Sequence, residues 1–359
     1  MSTLAVAGAR VYHTGMTEPS TASVALLTIA PDEGDMRLDR WFKAHFPALS
    51  HVQLQKLLRT GQVRLDGRRV EAATRVASGQ KVRVPPAAAA AGQITVAAHA
   101  GQAPRGPGSV SEDRAFLAAI TLYEDAEVLV INKPAGLAVQ GGSGLTQHVD
   151  RMLASLIDKK GRTPRLVHRI DRDTSGVLLI AKTRAAAVKL TGAFKQRTTR
   201  KFYWALVPGV PKPRQGRIST YVVKGKDEQG DDKMRVVRHG DADSQHALTY
   251  YAVVEQAAQR FSWLSLKPVT GRTHQLRVHL AHIGHPIVGD PKYFAIENYE
   301  LSRSLDKRLH LHARRLIIPH PTHGTIDVSA PLPPHMVRSW QLLGLDMAAH
   351  DPINDAPEE

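Results

Sequence analysis

The hydrophobic positions divide the chain into a short N-terminal module and a longer run of alternating elements. Apolar residues at i, i+3 and i+4 predict a helix beginning at Leu38, and Ser50 is a suitable N-cap for a second helix. Alternating residues over 63–65 and 81–84 predict short strands. Two helices with short strands indicate a small α-β module.

From residue 115 to 345, strand and helix patterns follow one another without a break. Continuous apolar runs such as 177–180 predict buried strands. Helical periodicity covers 185–194 and 273–283, and we expect Thr273 to cap the second of these helices. This pattern predicts one domain of ordinary size with an α+β or mixed α/β fold.

These patterns predict five segments. Residues 1–34 form a flexible tail, and 35–85 form the small module. Residues 86–114 are an Ala/Gly/Pro-rich linker with a short strand at 94–96. The large domain covers 115–345, and an acidic tail covers 346–359.

Charge narrows the choice of partner. The 359 residues include 48 Lys and Arg against 33 Asp and Glu, so the net charge is +15. A polyanion, above all nucleic acid, is the natural partner of such a chain. An anionic membrane surface is the alternative, but no basic amphipathic helix lies beside a lipidation signal.

The absence of cysteine and of long apolar runs excludes several classes. Without cysteine there are no disulfides, cysteine nucleophiles or Cys-type zinc sites, and a reducing compartment is expected, hence a cytoplasmic location. No apolar stretch approaches the roughly 18 residues of a membrane helix, so we expect no membrane insertion.

The densest cluster of candidate chemistry is His168–Gly176, immediately before a predicted buried strand. Here Asp171 lies between Arg169 and Arg172, and neighbouring cations favour the charged form of a carboxylate. An ionised, fixed carboxylate can act as a nucleophile or a general base. Alternatively, Asp171 and Asp173 only cap a turn, and the residues alone leave both interpretations open.

A second cluster, Thr270–His279, lies at a predicted strand–helix junction. The guanidinium of Arg272 is placed there to meet a carboxylate from another loop. Four nearby histidines suggest a metal site, but their spacing gives no clean helical i, i+4 pair, and no acidic residue that could be a third ligand lies nearby before Asp290. We therefore expect no metal from these residues: His274, His279, His282 and His285.

Four motifs together resemble those of the RluA-type RNA pseudouridine synthases, over roughly residues 115–335. The segment His168–Gly176 is similar to the catalytic motif of that family, with Ile170 where leucine is usual. Asn132–Gly136 resembles the first motif of the family, and Lys201–Tyr203 resembles its tyrosine motif. Thr270–His279 resembles its third motif.

The resemblance implies a fold and a partner. The fold would be α+β, with a central mixed, mostly antiparallel sheet and flanking helices. Residues 35–85 resemble the S4 RNA-binding module that often precedes this catalytic domain. The stretch 141–144 is most similar to the RluC-like subgroup, which modifies large-subunit (23S) ribosomal RNA, so ribosomal RNA is the implied partner of a monomeric enzyme.

The resemblance also implies roles for individual residues. Asp171 would be the nucleophile as the C1′–N1 bond of uridine breaks and the uracil rejoins through C5. Arg272 would pair with Asp171, Tyr203 would stack on the uracil and assist proton transfer at C5, and Arg169 would occupy the space of the flipped base. Further substrate contacts are implied for Arg172, Leu276, Lys133, Lys201 and His274.

Attack on the sugar, attack on the base and proton abstraction from the ribose remain open as routes, and none of them needs a metal or an organic cofactor. The alternatives are a non-catalytic ribosome-associated RNA-binding protein, a pseudouridine synthase acting on transfer RNA, and a metal-dependent nuclease. A protein that only binds RNA needs no Asp171, Tyr203 and Arg272 together, and a nuclease lacks paired acids near the histidines.

Overall fold

The computed structural model divides the chain into two compact units, Met1–Ala98 and His99–Glu359. It describes residues 24–30, 33–34, 36–46, 49–89, 109–141, 147–159, 161–226, 232–258, 260–294 and 305–355. The predicted strand at 94–96 lies outside the described residues. None of the helices within these ranges is both long and apolar enough to cross a membrane.

Within the part that the structure describes, the first unit combines three helices and a three-stranded antiparallel sheet around one apolar core. Its elements are β1 (Ala25–Thr28), α1 (Leu38–His45), α2 (His51–Arg59), β2 (Arg64–Leu65), β3 (Lys81–Val84) and the single turn α3 (Pro86–Ala89), with strand order β1-β3-β2. The predicted helix at Leu38 is confirmed, and its apolar face is buried. Ser50 caps α2 as predicted and forms a capping box with Gln53.

The expectation of a loose tail through residue 34 is wrong where the structure describes that segment. β1 pairs antiparallel with Lys81–Val84, and Ile29 is buried. Glu33 accepts a hydrogen bond from the indole Nε1 of Trp41 at 2.9 Å. β1 is an edge strand of four residues with one partly buried face, so its alternation of apolar and polar residues is very short. Such an alternation is not recognisable in a segment rich in Ser, Thr and Ala.

The second unit has five helices and eleven strands among its described residues. The helices are α4 (Val110–Ala119), α5 (Val149–Met152), α6 (Arg184–Lys195), α7 (Gln275–His282) and α8 (Pro334–Leu343), with 3₁₀ turns at Leu153–Leu156 and Pro352–Asp355. The strands are β4 (Thr121–Glu124), β5 (Val128–Lys133), β6 (Arg165–Leu166), β7 (Ser175–Ala181), β8 (Arg200–Pro208), β9 (Gln215–Lys226), β10 (Asp232–Val237), β11 (Gln245–Ala257), β12 (Phe261–Pro268), β13 (Leu311–Pro319) and β14 (Thr325–Ser329).

One large sheet organises the second unit. Its order is β10-β9-β11-β12-β8-β13-β7-β5-β4, with β14 added beside β13 and β6 beside β7. Every pairing among the described strands is antiparallel except β13 with β7. The predicted α+β fold with a mixed, mostly antiparallel sheet is therefore confirmed for this unit.

The register of the central strands brings two predicted motifs together. Ala313 on β13 lies opposite Gly176 at the start of β7 and opposite Tyr203 on β8. Gly176 has φ +109°, and a Cβ there would lie 2.2 Å from the carbonyl oxygen of Ala313. Only glycine permits this approach, so the loop before β7 lies close to Tyr203.

Both ends of the large domain also differ from expectation. α4 begins inside the predicted linker, where Ser109 forms a capping box with Glu112. Around residue 351 the described chain is held against the sheet rather than loose, because Asp351 accepts hydrogen bonds from Trp204 Nε1 and Ser265 Oγ. Ile353 beside it is buried. Asp351 therefore anchors this segment to β8 and β12, and a single acid of this kind gives no periodic signal in the sequence.

Candidate active site

The loop that carries Asp171 is held at its N-terminal end by a partly buried histidine. His168 Nε2 accepts the backbone N–H of Leu179 at 2.9 Å, and its ring stacks on Phe194. Burial, with a contribution from the charge of Lys201, lowers the pKa of His168 to about 3. The imidazole is therefore neutral, as acceptance at Nε2 requires.

A buried lysine holds the middle of the same loop. Lys133 Nζ donates to the carbonyl oxygens of Pro134, Leu137 and Arg172 at 2.8–2.9 Å. The side chain is fully buried, which lowers its pKa to about 7 against the opposing charges of Asp173 and Asp171. The predicted contact of Lys133 with substrate is wrong, because the ammonium is enclosed by backbone carbonyls.

Asp171 lies beside a cation that belongs to α7. Arg277 Nη1 is 3.4 Å from Asp171 Oδ2. The same guanidinium makes a two-bond pair with Asp290, at 2.7 Å for both Nε and Nη2. The side chains of Arg277 and Asp290 are 3% and 0% exposed, whereas that of Asp171 is 26% exposed. Asp290 therefore fixes the guanidinium, which presents its remaining nitrogen to a carboxylate open to the cavity.

The predicted pairing of Arg272 with Asp171 is wrong. Arg272 Nε donates to the carbonyl oxygen of His246 at 3.1 Å, although the side chain still lines the same cavity as Asp171. The reason is the start of α7: Gln275 Oε1 accepts from the Arg272 N–H, and the helix begins at Gln275. Thr273 therefore does not cap the helix, and His274 is the N-cap residue.

His274 has a strained backbone beside the candidate catalytic carboxylate. Its φ is +50°, in the left-handed region that residues other than glycine seldom occupy. Its Nδ1 lies 3.2 Å from the Tyr293 hydroxyl, and its Nε2 lies 4.0 Å from Asp171 Oδ2. Burial lowers the pKa of His274, with the charge of Asp171 opposing. Strain of this kind is concentrated at functional sites.

Asp171 opens into a cavity of about 540 Å³. Six of the residues implied by the family resemblance share this lining with Asp171: Arg169, Lys201, Tyr203, Arg272, His274 and Leu276. Burial, with the charge of Asp171, raises the pKa of the Tyr203 hydroxyl well above its ordinary value. This hydroxyl therefore stays protonated at neutral pH. The cavity offers one carboxylate, several cations and an apolar side that suits a planar base.

Arg172 lies outside this lining, so its contact with the substrate stays a prediction. Its side chain is exposed, and its Nε lies 3.1 Å from Asp173 Oδ1. Its carbonyl oxygen accepts from Lys133 Nζ and from the Gly136 N–H. The backbone of this residue, rather than its charge, supports the loop.

Two of the four histidines considered as metal ligands, His279 and His285, make hydrogen bonds within the fold. His279 lies within hydrogen-bond distance of the Thr220 and Thr249 hydroxyls, and His285 Nδ1 lies 2.8 Å from the Pro208 carbonyl oxygen. Within the described ranges, no group of three or more His, Cys, Asp or Glu side chains is arranged to hold a metal ion.

Comparison with known proteins identifies the family. Residues 127–282 match the family model described as RNA pseudouridylate synthase. The chain is 35% identical over 332 residues to ribosomal large subunit pseudouridine synthase C of Salmonella typhi, covering 90% of this chain and 98% of that one. The chain belongs to the RNA pseudouridylate synthase family. The resemblance stated from its motifs is thereby confirmed.

Two further similar proteins support membership of the RNA pseudouridylate synthase family. RNA pseudouridine synthase 4, mitochondrial, of Arabidopsis thaliana is 33% identical over 382 residues, which cover 85% of this chain and 78% of that one. The solved structure of human RNA pseudouridylate synthase domain containing 4 aligns with a TM-score of 0.55 at 29% identity. It covers 67% of this chain and 99% of that one.

Sequence reasoning missed three residues of this pseudouridylate synthase site: Arg277, Asp290 and Tyr293. Their signal was present, since Arg277 follows Leu276 on α7 and Asp290 ends an apolar run. A charged residue at a position facing the core needs a buried partner of opposite sign. Applied to α7, that rule requires an acidic partner for Arg277 once the helix is known to begin at Gln275.

Acid should destabilise the synthase domain through His168. Its pKa is lower in the folded than in the unfolded chain, so the unfolded chain binds more protons between about pH 3 and 6.5. Stability from this residue is therefore complete above pH 6.5 and is lost as pH falls. We expect about 2–3 kcal/mol less free energy of unfolding at pH 4.5 than at pH 6.5 from His168 alone.

Urea unfolding of wild type and His168→Gln between pH 4.5 and 7.5 measures this effect. Glutamine keeps an acceptor for the Leu179 N–H but does not titrate, so its curve should be shallower than that of wild type. Parallel curves for the two proteins would contradict a neutral His168.

Proposed function

We propose that this enzyme isomerises uridines of large-subunit ribosomal RNA to pseudouridine, with Asp171 as the catalytic carboxylate. The observation that carries the proposal is the placement of Asp171 beside Arg277 at a cavity that Tyr203 and Leu276 also line. The chain matches, nearly end to end, a relative named ribosomal large subunit pseudouridine synthase C.

The reaction conserves atoms except for an exchange of protons. The C1′–N1 bond of the target uridine breaks, the uracil turns, and a C1′–C5 bond forms. The hydrogen on C5 then leaves to solvent, and N1 gains a proton. Asp171 supplies the negative charge that assists bond cleavage, and Arg277 holds that carboxylate in place from a buried position.

The cavity also accounts for how the base would be held. Leu276 is buried and presents an apolar surface, and Tyr203 lines the same cavity. Arg169 is exposed at the rim, where its side chain would enter the helix and replace the flipped base. Lys201 adds positive charge for the nearby backbone.

Tritium release from uridine labelled at C5 tests the reaction. Ribosomal and transfer RNA transcripts should be compared, with wild-type enzyme under identical salt. Release from large-subunit RNA and not from transfer RNA is expected, and mapping of the product then locates the uridines. Preferential release from transfer RNA would overturn the substrate, and no release from any transcript or ribosomal assembly intermediate would overturn the reaction.

We further propose that residues 35–85 are an S4-like RNA-binding module. This segment has eleven Lys and Arg against four Asp and Glu, and many of its cations are exposed. Replacing Lys56, Arg59 and Arg68 with glutamine should lower RNA affinity and reduce the slope of log K against log salt by about 2. Activity at saturating RNA should stay as in wild type. An unchanged slope would contradict RNA binding by Lys56, Arg59 and Arg68.

Tyr203 provides a direct test of proton transfer in the cavity. Tyr203→Phe keeps a ring for stacking and removes the hydroxyl, so kcat should fall by about 10²–10⁴-fold while KM stays near that of wild type. Tyr203→Leu should in addition raise KM, because stacking is lost. Single-turnover tritium release with both variants measures the two effects. A kcat for Tyr203→Phe equal to that of wild type would remove the hydroxyl from the mechanism.

A further inference from the structure

A second cavity adjoins the cavity of Asp171. It has a volume of about 420 Å³. Arg197, Lys201, Pro268 and Val269 line both cavities, so they form a common wall. A molecule with one group beside Asp171 can therefore place a neighbouring group in the second cavity.

The lining of the second cavity has two kinds of surface. Four cations contribute to it, and among the described residues that line it there is no acid: the cations are Arg197, Arg200, Lys201 and Lys267. Val269, Ile317 and Pro319 contribute an apolar side. Positive charge beside an apolar surface matches the phosphate and base of a nucleotide.

Arg197 is strained at the place where the two cavities meet. It follows the C-cap residue of α6, Gln196, and has φ +60°. Glycine is the favoured residue at such a position, because a Cβ is unfavourable in the left-handed region. An arginine at this position is the kind of local strain that function retains. Burial and the charge of Arg197 lower the pKa of Lys201 to about 8, so an anion between the two cations would be stabilised.

We propose that the second cavity binds a nucleotide of the RNA that flanks the target uridine. Its phosphate contacts Arg197 and Lys201, and its base packs on Val269 and Ile317. The enzyme thus holds two nucleotides of one strand in adjoining cavities, which selects RNA that can open at both positions. This inference rests on the proposed function, because it assigns the first cavity to the target uridine.

Arg197→Gly is the informative variant, because glycine removes the charge and also relieves the strain. Its melting temperature should equal or exceed that of wild type, so loss of fold cannot explain a loss of binding. On a stem-loop substrate we expect KM to rise about 10-fold with kcat nearly unchanged. The slope of log K for RNA binding against log salt should become smaller in magnitude by about 0.7, because one phosphate contact to a single strand is removed.

Neutral methylphosphonate linkages, placed one at a time on either side of the target uridine, locate the contact. At one position the neutral linkage should raise the KM of wild type by a similar factor and have no further effect on Arg197→Gly. Arg338→Gln is the control, since Arg338 is an exposed arginine of α8 that lines neither cavity. Its KM should match that of wild type.

Two results would overturn the second site. The first is an unchanged KM for Arg197→Gly. The second is that, at every position, the methylphosphonate raises the KM of Arg197→Gly by the same factor as that of wild type, as expected if Arg197 acts only through diffuse electrostatics. The proposed function fails separately, if wild type releases no tritium from any RNA. Equilibrium binding of the same RNA set to Asp171→Asn enzyme, with and without Arg197→Gly, then measures the second cavity alone.

Discussion

Asp171→Asn should lower single-turnover tritium release by at least about 10⁴-fold, because an amide can neither attack the nucleotide nor accept a proton from it. Asparagine has the same shape and keeps an oxygen toward Arg277, which lies 3.4 Å from the native carboxylate. We therefore expect a melting temperature within a few degrees of wild type and RNA affinity of the same order.

Asp173→Asn is the matched control for this variant. Asp173 lies two residues along the same loop and pairs with the exposed Arg172. An exposed ion pair contributes little, so this enzyme should retain activity within several-fold of wild type. Retention of more than about 1% activity by Asp171→Asn would exclude covalent or base catalysis by that residue.

The residues that carry local signals were predictable. Ser50 caps α2 because a hydroxyl followed three residues later by glutamine satisfies the first free N–H groups of a helix. The apolar run at 177–180 lies within β7, which is buried at every residue. Asp171 was identified because it lies between arginines directly before that strand, and the cavity confirms that its loop faces open space.

The partner of Asp171 was not predictable from spacing. Two arginines five residues apart bracket the start of α7, and which of them faces the sheet depends on where the helix begins. Gln275 decides this, because its side chain bonds to Thr270, Thr249 and the Leu248 carbonyl within the core. Those contacts turn Arg272 toward His246 and Arg277 inward. They join segments far apart in sequence, so no local pattern records them.

The role of Lys133 was likewise not predictable from the sequence. A lysine after a strand and before a proline is typical of a loop that meets substrate, and the motif resemblance favoured that role. Burial of the strand end instead encloses the ammonium among three carbonyl oxygens. Sequence indicates that the residue belongs to the site, but only the fold distinguishes a contact with RNA from support of the loop.

Arg277→Met should have the largest effect on stability, about 3–5 kcal/mol of unfolding free energy. The variant leaves Asp290 fully buried without its guanidinium, although Oδ1 still accepts the N–H groups of Lys292 and Tyr293. Catalysis should fail as well, since the cation beside Asp171 is gone. Urea unfolding at pH 7 and single-turnover tritium release measure the two losses.

The double variant Arg277→Met/Asp290→Asn separates positioning from folding. A neutral amide keeps the oxygen that accepts from the 292 and 293 N–H groups, so much of the lost stability should return. Activity should not return, because Asp171 still lacks its cation, and we expect kcat to stay about 10²–10³-fold below wild type with KM little changed. Asp290→Asn alone keeps Arg277 and should lie between wild type and the double variant in kcat. Recovery of both stability and kcat in the double variant would show that Arg277 only supports the fold, and that Asp171 acts without it.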